Sequence, residues 1–530
     1  MYSVVIKNAS IIDGTGSQPR HGDIAIEGEQ IVRIADSIDT AGQTVIDAQG
    51  LVVCPGFIDV QNHSDSYWQL FDNPSLDSLR AQGFTTIVVG HCGASLAPLL
   101  SRESLSAMQK WHSLEGANVN WSSFSEFIET LQMSELGCNV ASLVGYSTLR
   151  RGLVGGNANA LQTQESKTLL AFLEQSLAQG AFGLSNGLGY GHELSVTPIE
   201  LKDFVEAVAK TKGLFSVHLR NEDENIIESL DEVLELAKDT GVKLKISHLK
   251  LSGGQDKHVL EHVIDRLETA RHQGVDVWFD VYPYDTVWQN ITRYLPSWIR
   301  IGGRNHILSE LKDPTKRKKV IEHLHNTNST LPELLVVSTA NKLNVIGKRL
   351  SHIAKDFEIT SEEALLLLIE HGGTEIMVFD QTLDSKTVES LVMHPFSLVA
   401  TDGAGFPNPQ GVTSGVVNDR LVHPRCFGTA PKFLADVRDT NAISLSEAIR
   451  KLTSTAAQVV GITDRGELAV GKKADIVIFN PSTIVDTATL TSPYRFPRGI
   501  EHVLINGQLT VKSGITLKTL SGQVLRKRQT

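Results

Sequence analysis

Short runs that alternate apolar and polar residues occupy both ends of this 530-residue chain. SVVIKNASIID, GDIAIEGEQIVRIAD and TVIDAQGLVVCPG read as strands joined by tight turns. The far end repeats the pattern in GELAVGKKADIVIFNP, GIEHVLINGQLTVKSG and SGQVLRK. Together they predict one small β-sandwich domain assembled from residues 1–54 and 461–530. Between them the rhythm changes. Apolar runs at 56–63, 85–92, 139–146, 180–186, 214–220, 243–250, 277–284 and 397–402 are separated in several places by amphipathic helical stretches. ESKTLLAFLEQSLAQG and IIESLDEVLELAKDTG are two of these, both closing on Gly. Eight strands with helical crossovers predict an α/β fold, a TIM-like (β/α)8 barrel over residues 55–460. An open doubly wound sheet is the alternative, because periodicity does not see closure. About 110 residues part the seventh and eighth runs. A structureless loop of that length is implausible, so a helical insertion at about 286–395 is expected, before the last barrel strand and over the barrel mouth.

Composition narrows the function classes. With 41% hydrophobic and 21% charged residues the chain reads as globular. A formal charge of -11 argues against a nucleic-acid surface, and the short run Arg526-Lys527-Arg528 reads as a solvated end. Four scattered cysteines form no disulfide framework, which suggests a cytoplasmic protein. The first residues alternate like a strand and show no secretory leader, and no run of eighteen apolar residues suggests a membrane span. Homo-oligomerisation is left open.

Residues able to bind metal follow the apolar runs directly. His63, Cys92, His218, His248 and Asp402 come from five separate strand candidates. In a barrel those carboxyl ends share one rim, where such folds place active sites. Strand parity puts Asp59, Gln61 and His63 on one face, His218 with Arg220, and His248 with Lys250, so the mouth is expected to gather positive charge beside the ligands. Singly, each histidine has a structural explanation, Cys92 reads as a small buried residue, and Asp402 as a turn cap. Their joint occurrence favours a metal site. A thiolate and two imidazoles suit zinc with one position left open. Zinc lowers the pKa of a bound water from about 16 to about 7, and a carboxylate such as Asp402 can carry the proton to a departing nitrogen.

Several motifs are distinctive: PGFIDVQNHSD, TTIVVGHCGASLAP, GLSNGLGY, HLRNE, ISHLK, DVYPY, TDG, HPRCFGT and GELAVGKKADIVIFNP. Through them the chain resembles, nearly end to end, the N-acyl-D-amino-acid deacylases (D-aminoacylases) of the amidohydrolase superfamily. The resemblance implies that Cys92, His218 and His248 hold one tight zinc, that Asp402 is the catalytic acid/base, and that Lys250, Tyr282 and Arg425 bind the substrate α-carboxylate. Arginine's two-pronged fork suits a carboxylate on its own chemistry. Candidate strand four, GAFGLSN, lacks the bridging lysine of many amidohydrolases, which counts against dihydroorotase- and hydantoinase-like readings.

Three departures stand out. Gln61-Asn62-His63 replaces the family's usual His-x-His, which serves a second, weaker metal position. His63 is then expected close to the single metal or on the reacting oxygen, and Gln61 on a water or a carbonyl. His91 stands where the family more often has Asn, and is expected to pack away from Cys92. The stretch from Asp402 to Arg425 is longer than is usual. The expected activity is hydrolysis of the amide of a small N-acyl-D-amino acid, with no nucleic-acid or membrane partner. The alternatives are an amidohydrolase for dipeptide-like or cyclic amides, and a catalytically silent binding protein that Gln61 has disarmed.

Overall fold

A computed structural model of the protein describes residues 2–39, 43–108, 118–156, 159–252, 257–301, 303–327, 330–338, 344–372, 376–407 and 420–528. Each apolar run of the chain's middle forms a strand: β1 (Phe57–Asp59), β2 (Phe84–Val89), β3 (Asn139–Ser142, continued as Val144–Gly145), β4 (Gly183–Gly187), β5 (Leu214–His218), β6 (Lys243–Ile246), β7 (Val277–Val281) and β8 (Ser397–Val399). Their residues are almost all buried, as in strands whose two faces are both covered. Pairing is parallel from β1 to β2 to β3, and from the second piece of β3 through β4, β5, β6 and β7 to β8. The ends then meet. His63 N donates to Gly403 O at 2.7 Å and Asp402 N to Gln61 O at 2.9 Å, so β8 runs beside β1 and the sheet is a closed barrel.

Helices outside the barrel follow the capping rules. The helix Pro198–Lys210 starts on Thr197, whose hydroxyl accepts from Glu200 N at 3.3 Å, with proline at its first position. The helix Ile226–Thr240 stops at Gly241, whose φ of 68° closes the last turn in the left-handed conformation. Leu230, Val233, Leu234 and Ala237 bury one of its faces in the main core.

Hydrogen bonding joins nine strands from the two chain ends into one sheet without interruption. The central seam is Val52–Pro55 antiparallel to Ile476–Phe479, immediately before β1. A buried polar knot ties this sheet to the barrel. Asp475 pairs with Arg465 at 2.5 Å and accepts from Asn139 Nδ2 at 2.9 Å and Asn506 N at 2.7 Å. Asp475→Ala removes one of the two carboxylates on buried Arg465, Asp464 at 3.0 Å being the other, and should cost about 2–3 kcal/mol in urea unfolding. A loss under about 1 kcal/mol would show that the knot contributes little. The basic tail is not a loose solvated end: Lys527 N donates to Gly180 O at 2.9 Å, and Val524 bridges Val140 of β3. Backbone hydrogen bonds, invisible to composition, dock it.

The insertion between β7 and β8 carries the expected helices and adds a three-stranded antiparallel sheet. Met377–Asp380 lies centrally between Val287–Asn290 and Leu335–Ser338. It has a core of its own around Ile291, Leu324, Val336, Leu365 and Val378. Strands of four residues are too short for their periodicity to stand out against flanking helices. No helix among the described residues is long and apolar enough to cross a membrane.

Candidate active site

The carboxyl ends of β1, β2, β5, β6 and β8 turn sharply into the barrel mouth. Cys92, His248 and Asp402 lie just beyond their strands with φ of 53°, 37° and 45°, a left-handed backbone that non-glycine residues adopt at a cost. That kink, rather than strand alternation, aims each side chain at the barrel axis. Cys92 Sγ lies 3.5 Å from His248 Nε2, and His248 Nε2 lies 2.9 Å from His218 Nδ1. One donor atom from each of the three falls within 4.8 Å of the others. Soft sulfur plus two imidazole nitrogens, all buried, are the donor chemistry of a zinc site with an open position. The imidazoles of His218, His248 and His63 hold the Cys92 thiol well below its usual pKa, overcoming the burial that works the other way. Thiolate is the ligand form.

Asp402 faces this trio. Its Oδ1 lies 3.2 Å from His63 Nε2 and its Oδ2 2.9 Å from Arg425 Nη1. Burial pushes the carboxyl up, but Arg425, His248 and His63 outweigh it and keep Asp402 ionised well below the ordinary range. Burial resists charge on His63 as well, yet its hydrogen bonds to Asp402 and Cys92 raise it to about 9. Arg425 opens the helix Arg425–Thr440 and stacks its guanidinium 4.5 Å from the Tyr282 ring. The Tyr282 hydroxyl is buried without a hydrogen-bond partner among the described residues. Lys250 Nζ reaches Glu222 at 2.5 Å and His248 Nδ1 at 3.0 Å. Lys250, Tyr282 and Arg425 thus line the same cavity of about 290 Å³ as His63, His218, His248 and Asp402. Tyr284 does not; it turns away to Asp486.

Not every expectation of the parity argument survives. Arg220 lies outside the mouth, clamping Glu232 at 2.6 Å and the carbonyls of Leu194 and Val196. β5 ends at His218, and alternation lapses where the strand does. Asp59 is also structural: it accepts from Thr401 Oγ1 at 2.6 Å and Asn62 Nδ2 at 2.8 Å, tying β1 to β8. His91 packs away from the trio with Nδ1 3.3 Å from Ser216 Oγ, and burial drives its pKa well down. Gln61 is fully buried against Cys92 and Lys245.

Sequence reasoning passed over Glu222, which stands behind His248 with an oxygen 3.2 Å from Nδ1, the ring nitrogen that does not face Cys92 and His218. Its position in HLRNE, four residues after a strand-end histidine, was the available signal. Also missed were Arg293 and Arg300. Both donate to Gly189 O, at 2.9 and 3.4 Å, at the cavity wall. They belong to the insertion, which roofs the cavity with residues from Val287 to Ile307.

Comparisons with known proteins bear on the family and the fold. Residues 373–511 match a model described as the amidohydrolase family. An N-acyl-D-glutamate deacylase of Alcaligenes xylosoxydans xylosoxydans is 30% identical over 507 residues, covering 95% of this chain and 92% of that one. An N-acyl-D-aspartate deacylase of the same organism is 29% identical over 528 residues, covering 98% and 94%. In structure, the chain is similar to an N-acyl-D-glutamate deacylase from Bordetella bronchiseptica complexed with zinc and a phosphonate mimic of the tetrahedral intermediate. There the TM-score is 0.82 at 26% identity, covering 99% of both chains.

Proposed function

The chain belongs to the N-acyl-D-amino-acid deacylases of the amidohydrolase family, and we propose from this that it hydrolyses the amide of N-acyl-D-amino acids to a carboxylate and a free D-amino acid. It is a metal-dependent hydrolase. The observation that carries the reading is the meeting of Cys92, His218 and His248 opposite Asp402, with Lys250, Tyr282 and Arg425 across the same cavity. We assign one tight zinc to that trio, and the cytosol as compartment, where four buried cysteines without a disulfide stay reduced.

A zinc ion held by Cys92, His218 and His248 would supply Lewis acidity and lower the pKa of water at neutral pH. Asp402 takes the proton from the attacking water as its oxygen adds to the carbonyl carbon. His63, hydrogen-bonded to Asp402, steadies that carboxylate and donates toward the oxygen on which charge develops. When the C–N bond breaks, Asp402 passes its proton to the leaving nitrogen, so the products are an acid and an amine. Lys250, Arg425 and the unpartnered Tyr282 hydroxyl receive the α-carboxylate. That carboxylate competes with Asp402 for Arg425. Its arrival loosens the 2.9 Å pair and makes Asp402 a stronger base at the moment substrate is in place.

The cavity also favours one kind of side chain. Two guanidiniums, Arg293 and Arg300, converge on the single carbonyl of Gly189, and burial and the charge of Arg293 lower the Arg300 pKa to about 10. Arg293 Nη2 already lies 3.8 Å from Glu222, so Arg300 is the guanidinium more open to an anion. Gly189 is close enough to His218 that a Cβ there would come within 2.8 Å of Nε2, so the arginine pair stands about one side chain from the metal ligands. N-acyl amino acids with a carboxylate side chain therefore fit best.

A panel of N-acetyl-D- and L-amino acids tests both levels. The expected result is turnover of D-isomers only, acidic side chains first, with Arg300→Ala lowering kcat/KM for the acidic substrates about 10- to 100-fold and leaving neutral ones within about threefold. Release of free amino acid from L-isomers alone would overturn the D-specific reading. Equal losses on acidic and neutral substrates would remove the role of Arg300.

A further inference from the structure

A second set of donors shares the sulfur of the first. His63 Nε2 lies 4.0 Å from Cys92 Sγ and 3.2 Å from Asp402 Oδ1, so thiolate, imidazole and carboxylate face one another beside the Cys92–His218–His248 trio. Ligand chemistry of that kind attracts a divalent cation. A fixed positive charge stands behind it. Lys245, on β6, is wholly buried inside the barrel and paired with the equally buried Asp280. Its Nζ donates to Gln61 Oε1 at 2.7 Å, and Ser247 Oγ donates to the same oxygen at 3.1 Å. Gln61 Nε2 in turn points at Cys92 Sγ, 3.4 Å away. Both lone-pair directions of the amide oxygen are therefore taken. What Gln61 presents to the sulfur is an N–H, which cannot ligate a metal.

We propose that Lys245 excludes a second metal ion: its buried ammonium, acting with the glutamine whose acceptor it occupies, keeps the His63–Asp402 side of the centre for proton handling alone. The inference rests on the reading above, in which the first ion sits at Cys92, His218 and His248. Lys245 is a positioning residue; Asp280 balances its charge, so what it turns toward the second donor set, through Gln61, is the positive end of that pair. A dication in the second donor set would face it in a medium that screens poorly. Asp280 keeps the ammonium in place and also accepts from His248 N at 2.9 Å, so the charge-holding pair is built into the same strand ends as the ligands.

Zinc content separates the possibilities without reference to turnover. Wild type, Gln61→His, Lys245→Met/Asp280→Asn and the triple variant are loaded with excess zinc, dialysed and assayed by inductively coupled plasma mass spectrometry. Affinities for added zinc are read by chelator competition. The Lys245/Asp280 change removes both charges together, so no carboxylate is left buried alone, and the amide introduced by Asp280→Asn still offers an oxygen to His248 N. One equivalent is expected in the wild type and in Gln61→His. Two are expected in the triple variant, with the second bound at least about 100-fold more tightly than by Gln61→His. A second equivalent in the wild type overturns the proposal, as does equally tight binding by Gln61→His alone. A triple variant that keeps its circular-dichroism spectrum and first zinc but takes no second also overturns it. Absence of zinc from every protein would instead remove the first site, and with it the reading on which the inference rests.

Discussion

Cys92→Ala should purify without tightly held zinc and show a kcat/KM lower by about four orders of magnitude, some 5.5 kcal/mol of lost transition-state stabilisation. Cys92 is the one soft, anionic donor in the trio, and three histidines hold it as thiolate. Two imidazoles left behind without the thiolate make a poor divalent site. Gln61 Nε2 also loses its acceptor at 3.4 Å, while Lys245 and Ser247 still hold the amide oxygen. Metal analysis and initial rates on the same preparation check the result. Stoichiometric zinc in a folded Cys92→Ala protein would place the ion elsewhere.

Asp402→Asn should behave differently, keeping its zinc while kcat falls about 10²- to 10⁴-fold, the usual worth of a positioned proton carrier. The amide preserves shape and the contact with His63, though it gives up the charge that pairs with Arg425, and it cannot take a proton from water or return one to nitrogen. KM should move little, since Lys250 and Tyr282 still meet the α-carboxylate. The pH profile adds a readout that a packing role would not give. The acidic limb of kcat/KM, where Asp402 protonates, should vanish in the variant, and any residual rate should be flat there. Turnover within tenfold of wild type would transfer the proton to another group, with His63 the nearest at 3.2 Å.

Much of the barrel and half of its chemistry can be read locally. LFSVH and VWFDV announce buried parallel strands because burial on both faces is written in largely apolar residues, whereas KLKI alternates and buries its Lys245 only by pairing with Asp280. Ligand-type residues directly after such strands are legible for the same reason: in a barrel, strand ends and functional rim coincide. Cys92, His218, His248 and Asp402 were visible on those terms, and Lys250, Tyr282 and Arg425 through resemblance. Alternation then misled at Arg220, beyond the last paired residue of its strand. It was silent on the left-handed turns at Cys92, His248 and Asp402, since no propensity marks a non-glycine residue with positive φ.

What the chain alone determined, then, is the order of strands and helices and the kinds of atoms brought to the rim, because both depend on neighbours a few residues away. What only the tertiary structure decided is who faces whom. Gln61 and Lys245 stand 184 positions apart, and His63 and Asp402 339 apart. Whether those pairs touch is set by how the barrel closes and by the register of one strand on the next. Those are sums of many long-range hydrogen bonds and contacts, and no single stretch of sequence contains them.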